Sequence, residues 1–188
     1  MRVVFMGPPG AGKGTQAERL ARSRGLRHLA TGTMLRAEMA SGSSLGKTIA
    51  ELINGGGFVD DAMALRLVAD KLQGGYVLDG LPRTLAQARA LDDLTEDAPI
   101  QAVVRISVDP DELVSRMEAR VAADIAAGRA PRADDNPETF RARQATFWEL
   151  TAPIYAHYER QGKLLDVDGM RSPDQVTQAI GDALSRIR

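Results

Sequence analysis

Short apolar runs alternate along this chain with longer segments of helical periodicity. The apolar runs predict strands at VVFM (3–6), YVLD (76–79), AVVRISV (102–108) and KLLDV (163–167), with HLA (28–30) as a weaker candidate. The segments between them predict helices, as in TQAERLARSRG, where Leu20 follows Ala17 and Gly25 offers a stop. Strands separated by helices predict an α/β fold of three layers, with a mostly parallel sheet flanked by helices on both faces. Ligands of such sheets bind at the carboxyl ends of the strands.

Two stretches interrupt the alternation. The first runs from Ser41 to Asp61 and contains SGSSLG and NGGGFVDD, and the second is VAADIAAGRAPRADDNP, from Val121 to Pro137. Both are irregular and rich in small or turn-forming residues. We therefore expect two small mobile inserts in one larger domain.

Composition limits the classes of partner. The chain has 188 residues, is 44% hydrophobic and carries a formal net charge of -1. These values predict one domain without a basic field for nucleic acid or membranes, so anions must be bound by local clusters of Arg and Lys. With no Cys and two His, a disulfide framework or a zinc site is not expected. No apolar run approaches the roughly 20 residues of a membrane span and no signal-peptide pattern is visible, so we expect a cytoplasmic protein.

The stretch GPPGAGKGTQ follows the first predicted strand and opens the first predicted helix. Its spacing, Gly7-x-x-x-x-Gly12-Lys13, is typical of a loop whose backbone N–H groups cradle phosphates. We expect the N–H groups from Gly10 to Thr15 to face the anion and Lys13 to reach the outer phosphates. Gly14, rather than a hydroxyl residue, follows Lys13, which weakens any prediction that Thr15 binds Mg²⁺ directly. The alternative is a tight turn with incidental glycines.

A second candidate site lies in YVLDGLPRTLAQ. Asp79 ends a predicted strand that would lie beside the phosphate loop, where its carboxylate could hold the water molecules of a phosphate-bound Mg²⁺. Pro82 is predicted to open a helix, with Arg83 and Gln87 four residues apart on one face. The structural alternative is an Asp that caps a turn, a solvated Arg and an exposed Gln.

Taken with these motifs, the chain resembles the adenylate kinases, which interconvert ATP and AMP with two ADP. The resemblance rests on GPPGAGKGTQ, TGTMLRAE, DGLPRT with Gln87, the arginines of LVSRMEAR, and RADDNPETFRAR. It implies a core of residues 1–29, 60–120 and 138–188, a monophosphate-binding insert of residues 30–59 and a lid of residues 121–137. It also implies a monomer that uses Mg²⁺ with ATP, and transfer by positioning and charge without a covalent intermediate.

The resemblance assigns roles to individual residues. The residues that would bind ATP are Gly10, Ala11, Gly12, Lys13, Gly14, Thr15, Arg116, Arg120 and Arg171. Those that would bind AMP are Thr31, Arg36, Gly57, Phe58, Val59, Gly80, Leu81, Pro82, Arg83, Gln87, Arg132 and Arg143. The expected catalytic cations are Lys13, Arg83, Arg120, Arg132 and Arg143. Asp79 would hold the metal through water, and the short lid, which lacks Cys, would bind no zinc.

Some positions depart from the family pattern or have a structural interpretation. Thr33 stands where the family usually has Asp, and Leu81 where it usually has Phe. Arg116 and Arg120 lie four apart and would share a helix face, which is also the pattern of a solvated Arg-rich helix. Asp60 and Asp61, like Asn136 in ADDNPET, are interpreted as helix starts rather than metal ligands.

Three other functions compete with this one. A GTPase would need an Asn-Lys-x-Asp signature, but Asn54 and Asn136 are followed by Gly and Pro. A regulatory ATP-binding module would not need Arg and Gln residues for a second ligand. A UMP/CMP kinase would, by family comparison, have Ala in place of Thr31 and Asn in place of Thr84. These differences favour AMP as the acceptor.

Overall fold

The strands form where the apolar runs predict them. The computed structural model describes residues 1–54, 59–132 and 135–187. The strands are β1 (Arg2–Met6), β2 (Arg27–Ala30), β3 (Tyr76–Asp79), β4 (Ala102–Ser107) and β5 (Leu164–Asp168). The helices of the described residues are α1 (Lys13–Arg24), α2 (Thr31–Ala40), α3 (Ser44–Asn54), α4 (Asp61–Ala69), α5 (Leu85–Leu94), α6 (Glu112–Ala126), α7 (Pro137–Arg160) and α8 (Pro173–Ser185).

All five strands are parallel and lie in the order β2-β3-β1-β4-β5. The predicted parallel sheet flanked by helices is therefore confirmed. In the register of the sheet, Asp79 lies opposite both Phe5 of β1 and Ala30 of β2. This pairing brings the carboxyl ends of three strands together, so that the Gly-rich loop, Asp79 and the start of α2 meet at one edge of the sheet.

Two apolar cores cover the two faces of the sheet. Val3 and Phe5 of β1 pack on one side with residues of α1, α6 and α8, while Val4 and Met6 pack on the other with residues of α4, α5 and α7. All four side chains are buried, because successive residues of a strand point to opposite faces and both faces are covered by helices. The central strand that precedes the Gly-rich loop is thus held from both sides.

Side-chain caps define several helix starts. Asp60 caps α4 by accepting from Met63 N at 2.8 Å, and Asn136 caps α7 by accepting from Thr139 N at 2.9 Å, which confirms both predicted starts. The prediction that Pro82 opens a helix is wrong. Helix α5 begins at Leu85, because the Thr84 hydroxyl caps it by accepting from Gln87 N. Pro82 instead follows a cis peptide bond.

The longest of the described helices, α7, contributes to both apolar cores. It contributes Phe140 to one core, and Ile154 and Tyr158 to the other, and it continues through an internal Pro153. Among the helices that the structure describes, none combines the length and the apolar character needed to cross a membrane.

Close packing of α2 on α3 generates a stability prediction. A Cβ added at Gly46 would lie 2.3 Å from the Glu38 carbonyl oxygen, whereas one at Gly181 of α8 would meet nothing within 4 Å. Alanine favours a helix over glycine by about 1 kcal/mol, but overpacking costs about 1–3 kcal/mol. We expect Gly46→Ala to lower the free energy of unfolding and Gly181→Ala to raise it in urea denaturation. Equal stabilisation by both substitutions would contradict this packing.

Candidate functional site

The Gly-rich loop between β1 and α1 forms an open helix start. Gly10 and Gly12 both have φ of 86°, a conformation that favours glycine. A Cβ at Gly10 would also approach the Leu113 carbonyl oxygen and the Phe140 ring at 3.1 Å. The N-cap residue of α1, Gly12, has no side chain to cap the helix, so the first N–H groups of α1 lie open toward an anion at the positive end of the helix dipole. The Ala11 N–H, by contrast, already donates to Pro8 O at 3.1 Å.

Lys13 lies over the same loop. Its Nζ donates to Gly7 O at 2.7 Å and to Pro8 O at 2.9 Å. Burial lowers the pKa of Lys13 most; Asp79 opposes this effect, the charges of Arg83, Arg143 and Arg120 add to it, and the resulting pKa is about 8. The loop thus holds a cation whose charge is destabilised until an anion binds.

A cavity of about 370 Å³ opens above the loop. It lies at the carboxyl ends of the central strands and contains the five cations that the sequence proposed as catalytic. These are Lys13, Arg83, Arg120, Arg132 and Arg143. Their convergence in one space is a structural finding, whereas their roles stay predictions. Cations gathered in this way match the charge that a transferring phosphoryl group spreads over its oxygens.

Asp79 provides a carboxylate at the floor of this cavity. Its side chain is 16% exposed, and a Cβ added at Gly14 would lie 3.4 Å from its Oδ2, so the carboxylate lies directly against the first turn of α1. Over residues 1–54, 59–132 and 135–187, no group of three or more His, Cys, Asp or Glu side chains could hold a metal ion. One carboxylate suits a Mg²⁺ that arrives on phosphates and keeps most of its water.

His28 and Thr33 line the cavity together with Asp79. His28 has its Nε2 4.0 Å from Asp79 Oδ2. Thr33, which replaces the usual Asp of the family pattern, accepts a hydrogen bond from Arg36 Nη2 at 3.2 Å. Thr33 thus places a hydroxyl in the cavity lining where the family pattern would place a second carboxylate.

A second, smaller pocket adjoins the first. It has a volume of about 40 Å³ and is lined by apolar residues of α2, α4 and the chain between them, including Leu35, Val59 and Leu67. Arg36, Arg83 and Arg143 line both this pocket and the large cavity. The two spaces therefore meet at a row of cations.

Most residues predicted to bind the acceptor line this second pocket. They are Thr31, Arg36, Val59, Gly80, Leu81, Arg83, Gln87 and Arg143. Arg132 lines the large cavity, and Pro82 lines a space beside the loop with Gly7 and Lys13. The Thr31 hydroxyl donates to Asp79 O at 3.0 Å, which ties the start of α2 to the end of β3. Gly57 and Phe58 lie outside the described residues.

Arg83 and Gln87 are joined to each other, although not as residues of one helix face. Arg83 precedes α5, its N–H donates to Gln87 Oε1 at 2.6 Å, and its Nε donates to Gly80 O at 2.8 Å. Gln87 lies on α5, is 1% exposed, and its Nε2 donates to Asp61 Oδ1 at 2.8 Å. The amide is thus buried and oriented in the pocket wall.

The two arginines of α6 have different environments. Arg120 lines the cavity and pairs with the fully buried carboxylate of Asp135, with 2.5 Å between Nη2 and Oδ1. Arg116 contacts Met170 Sδ at 3.9 Å, in the segment where Arg171 pairs with Asp168 at 3.2 Å. In this structure the two guanidinium groups therefore do not converge on one point. In the ADDNPET stretch, Asp135 thus forms an ion pair and Asn136 caps α7.

Sequence reasoning missed two polar residues near the site. Gln16 is 4% exposed, donates to Pro173 O at 2.8 Å and accepts from the Thr177 hydroxyl at 2.7 Å, which ties the phosphate-loop helix to α8. Asp61, interpreted only as part of a helix start, does begin α4, but its side chain also forms hydrogen bonds with Thr84 and Gln87. The available signal for Gln16 was its position next to the core residue Ala17, where a polar side chain requires partners.

Comparison with known proteins gives a consistent family. Residues 5–163 match the family model described as adenylate kinase. The chain is 44% identical to an adenylate kinase of Agrobacterium fabrum (strain C58) over 99% of this chain and 98% of the relative. It is 47% identical to an adenylate kinase of Synechococcus sp. (strain RCC307) over 98% of each chain. It is 43% identical to one of Nitrobacter winogradskyi over 99% of this chain and 94% of the relative.

The lowered pKa of Lys13 predicts how ligand binding responds to pH. Because the free protein loses this charge as pH rises through about 8, affinity for ATP should fall above that pH, by about tenfold per pH unit when one proton is required. Calorimetric titrations between pH 7 and 9.5 measure the slope. Lys13→Arg keeps its charge throughout and should remove the slope. Identical pH profiles for the two proteins would contradict the role of Lys13.

Proposed function

Because this chain belongs to the adenylate kinase family, we propose that it transfers a phosphoryl group reversibly from MgATP to AMP, giving two ADP. The full-length similarity to adenylate kinases supports phosphoryl transfer between adenine nucleotides. The observation that carries the proposal is the pair of adjoining spaces, one at the phosphate loop and one at Gln87, that share Arg36, Arg83 and Arg143. A module that only bound ATP would have no use for the second pocket.

The donor phosphates would lie on the N-terminal turn of α1. Lys13 and the N–H groups of Gly12 to Thr15 would hold them, with Arg120 and Arg132 facing them from the other side of the cavity. The backbone at Arg171 and the side chain of Arg116 would contact the donor base. Gln16 supports this segment, since it binds the Pro173 carbonyl oxygen.

The acceptor would occupy the smaller pocket, with its phosphate at the shared arginines. Arg36 and Arg83 would hold the phosphate of AMP, and Gln87 would bind the adenine edge. The apolar wall that includes Leu35 and Val59 would cover the base. This arrangement places the acceptor phosphate oxygen between the arginines and the donor phosphates, as direct transfer requires.

Transfer would proceed without a covalent enzyme intermediate. Charge develops on the oxygens of the transferring group, and Lys13, Arg83, Arg120, Arg132 and Arg143 would stabilise it by position. Mg²⁺ bound to the phosphates would neutralise part of the same charge. Asp79, whose carboxylate lies against the first turn of α1, would hold that ion through water.

Residues 121–137 would act as a lid, and residues 30–59 as the acceptor insert. In the structure, residues 121–126 complete α6, and Pro137 opens α7; Ala133 and Asp134 lie outside the described residues. Closure would bring Arg132 over the phosphates and exclude water, which would otherwise compete with AMP. A monomeric state and a cytoplasmic location stay predictions from the sequence.

A coupled assay tests the reaction. ADP formation from ATP should be much faster with AMP than with CMP, UMP or GMP, because an amide in the pocket wall can both donate to and accept from adenine. A preference for CMP or UMP would move the chain to pyrimidine monophosphate kinase activity. ADP formation without any acceptor would indicate an ATPase.

Lys13 provides the sharpest test of the proposed chemistry. Lys13→Met should lower the rate of transfer by about 10³-fold, because the charge that follows the moving phosphoryl group is lost. The fold should persist, since β1 and the cores on both of its faces are unchanged and the loop loses only the two hydrogen bonds that Nζ donates to Gly7 O and Pro8 O. Lys71→Met, which changes an exposed lysine after α4, is the matched control and should retain the wild-type rate. Wild-type turnover by folded Lys13→Met would refute the assignment.

A further inference from the structure

The amide of Gln87 is held at both ends by groups of fixed polarity. Its Nε2 donates to Asp61 Oδ1 at 2.8 Å, and its Oε1 accepts from the Arg83 N–H at 2.6 Å. A carboxylate can only accept and a backbone N–H can only donate. The amide is therefore held in the one orientation that satisfies both neighbours. In the opposite orientation, its oxygen would face the carboxylate and its NH₂ group would face the N–H.

Asp61 is itself held in place. The Thr84 hydroxyl lies 3.1 Å from Asp61 Oδ1 and 3.0 Å from Oδ2. Asp61 is also the first residue of α4, where the helix dipole stabilises a negative charge. The adjacent Asp60 has a separate task, since it caps the same helix by accepting from Met63 N. The carboxylate that contacts Gln87 is thus oriented by Thr84, the residue that caps α5, and lies at the positive end of α4.

The remaining hydrogen-bonding capacity of Gln87 matches one type of base edge. A primary amide has two N–H donors and an oxygen that accepts twice. After the hydrogen bonds with Asp61 and Arg83 are formed, one donor and one acceptor site of Gln87 remain. Gln87 lines the acceptor pocket, where this pair is available to a ligand. Adenine presents a ring nitrogen acceptor beside an amino donor. A 6-oxopurine presents the reverse, a ring N–H donor beside a carbonyl acceptor.

We propose that Asp61 is a positioning residue that determines acceptor specificity by fixing the orientation of the Gln87 amide. This inference rests on the proposed AMP site and extends it to a residue that does not contact the substrate. Adenine accepts from Nε2 and donates to Oε1 without any change in the wall. A 6-oxopurine would need the Gln87 amide to rotate by 180°, which would break both of its hydrogen bonds. The amide oxygen would then face the Asp61 carboxylate, and the NH₂ group would face the Arg83 N–H. The fixed orientation of the Gln87 amide in the pocket wall therefore favours binding of AMP over IMP.

The test substitutes the carboxylate without changing its shape. In Asp61→Asn, the side-chain amide can present either its oxygen or its NH₂ group to Gln87, so only the Arg83 N–H still opposes the second orientation of Gln87, and the preference for the first is weakened. We expect the ratio of kcat/KM for AMP to that for IMP to fall by about tenfold or more, with ATP as donor. KM for ATP should stay unchanged, and the loss should divide between a lower value for AMP and a higher one for IMP.

Asp60→Asn is the matched control. It removes the same charge one residue away, from an exposed side chain, and Asn caps helices as well as Asp does. The AMP-to-IMP ratio should therefore equal that of the wild type. If both substitutions lowered the ratio equally, a general charge effect would replace the proposed role of Asp61.

The outcomes separate this inference from the proposed function. Absence of AMP phosphorylation by the wild type would refute the function itself, and equal use of AMP and IMP by an active wild type would remove Gln87 from base recognition. A folded, active Asp61→Asn protein with the wild-type ratio would overturn the role of Asp61 alone. If that variant does not fold, NMR of the wild type provides the test. The side-chain NH₂ protons of Gln87 should exchange with solvent far more slowly than the NH₂ protons of exposed glutamines. Equal exchange rates for Gln87 and the exposed glutamines would overturn the inference.

Discussion

Mutual repulsion among cations is the constraint on which the site depends. Lys13 and five arginines, Arg36, Arg83, Arg120, Arg132 and Arg143, line one cavity, while Asp79 and Glu18 are the acidic residues among the described lining. The cost is visible at Lys13, whose pKa burial and the neighbouring arginines lower to about 8. The folded sheet and helices hold these charges together in the absence of ligand. Phosphate groups would relieve the repulsion, which makes binding energy available for positioning the reactants.

The architecture explains how such a site is kept in place. The ends of β1, β2 and β3 meet in register, and β1, which is buried on both faces, fixes the point at which the phosphate loop begins. Two buried glutamine amides connect the elements around the site to one another. Gln16 joins α1 to the start of α8, and Gln87 joins α5 to Arg83 and α4. Each amide has a hydrogen-bond partner at its nitrogen and another at its oxygen, as buried polar groups require.

The sequence predicted the sheet and the phosphate loop because both leave local patterns, apolar runs and glycine spacing. It failed where two local rules compete: Pro82 suits a first helical turn, yet the Thr84 hydroxyl caps the helix three residues later. Asp61 was missed because an acidic residue at a helix start suggests capping, and its partners Thr84 and Gln87 are distant in sequence. The family resemblance pointed to the arginines. The 2.5 Å pairing of Arg120 with Asp135 could not be predicted, because it depends on how α6 and the segment before α7 pack together.

The central claim is that donor and acceptor phosphates share one continuous, cation-lined space. Isothermal titration with a dinucleoside polyphosphate that carries adenosine at both ends measures this most directly. The predicted result is that one molecule of this compound binds per chain and prevents binding of both ATP and AMP. In a separate thermal unfolding measurement, it should raise the Tm more than either nucleotide does alone. Two molecules bound per chain, or exclusion of only one of the two nucleotides, would contradict a shared phosphate space.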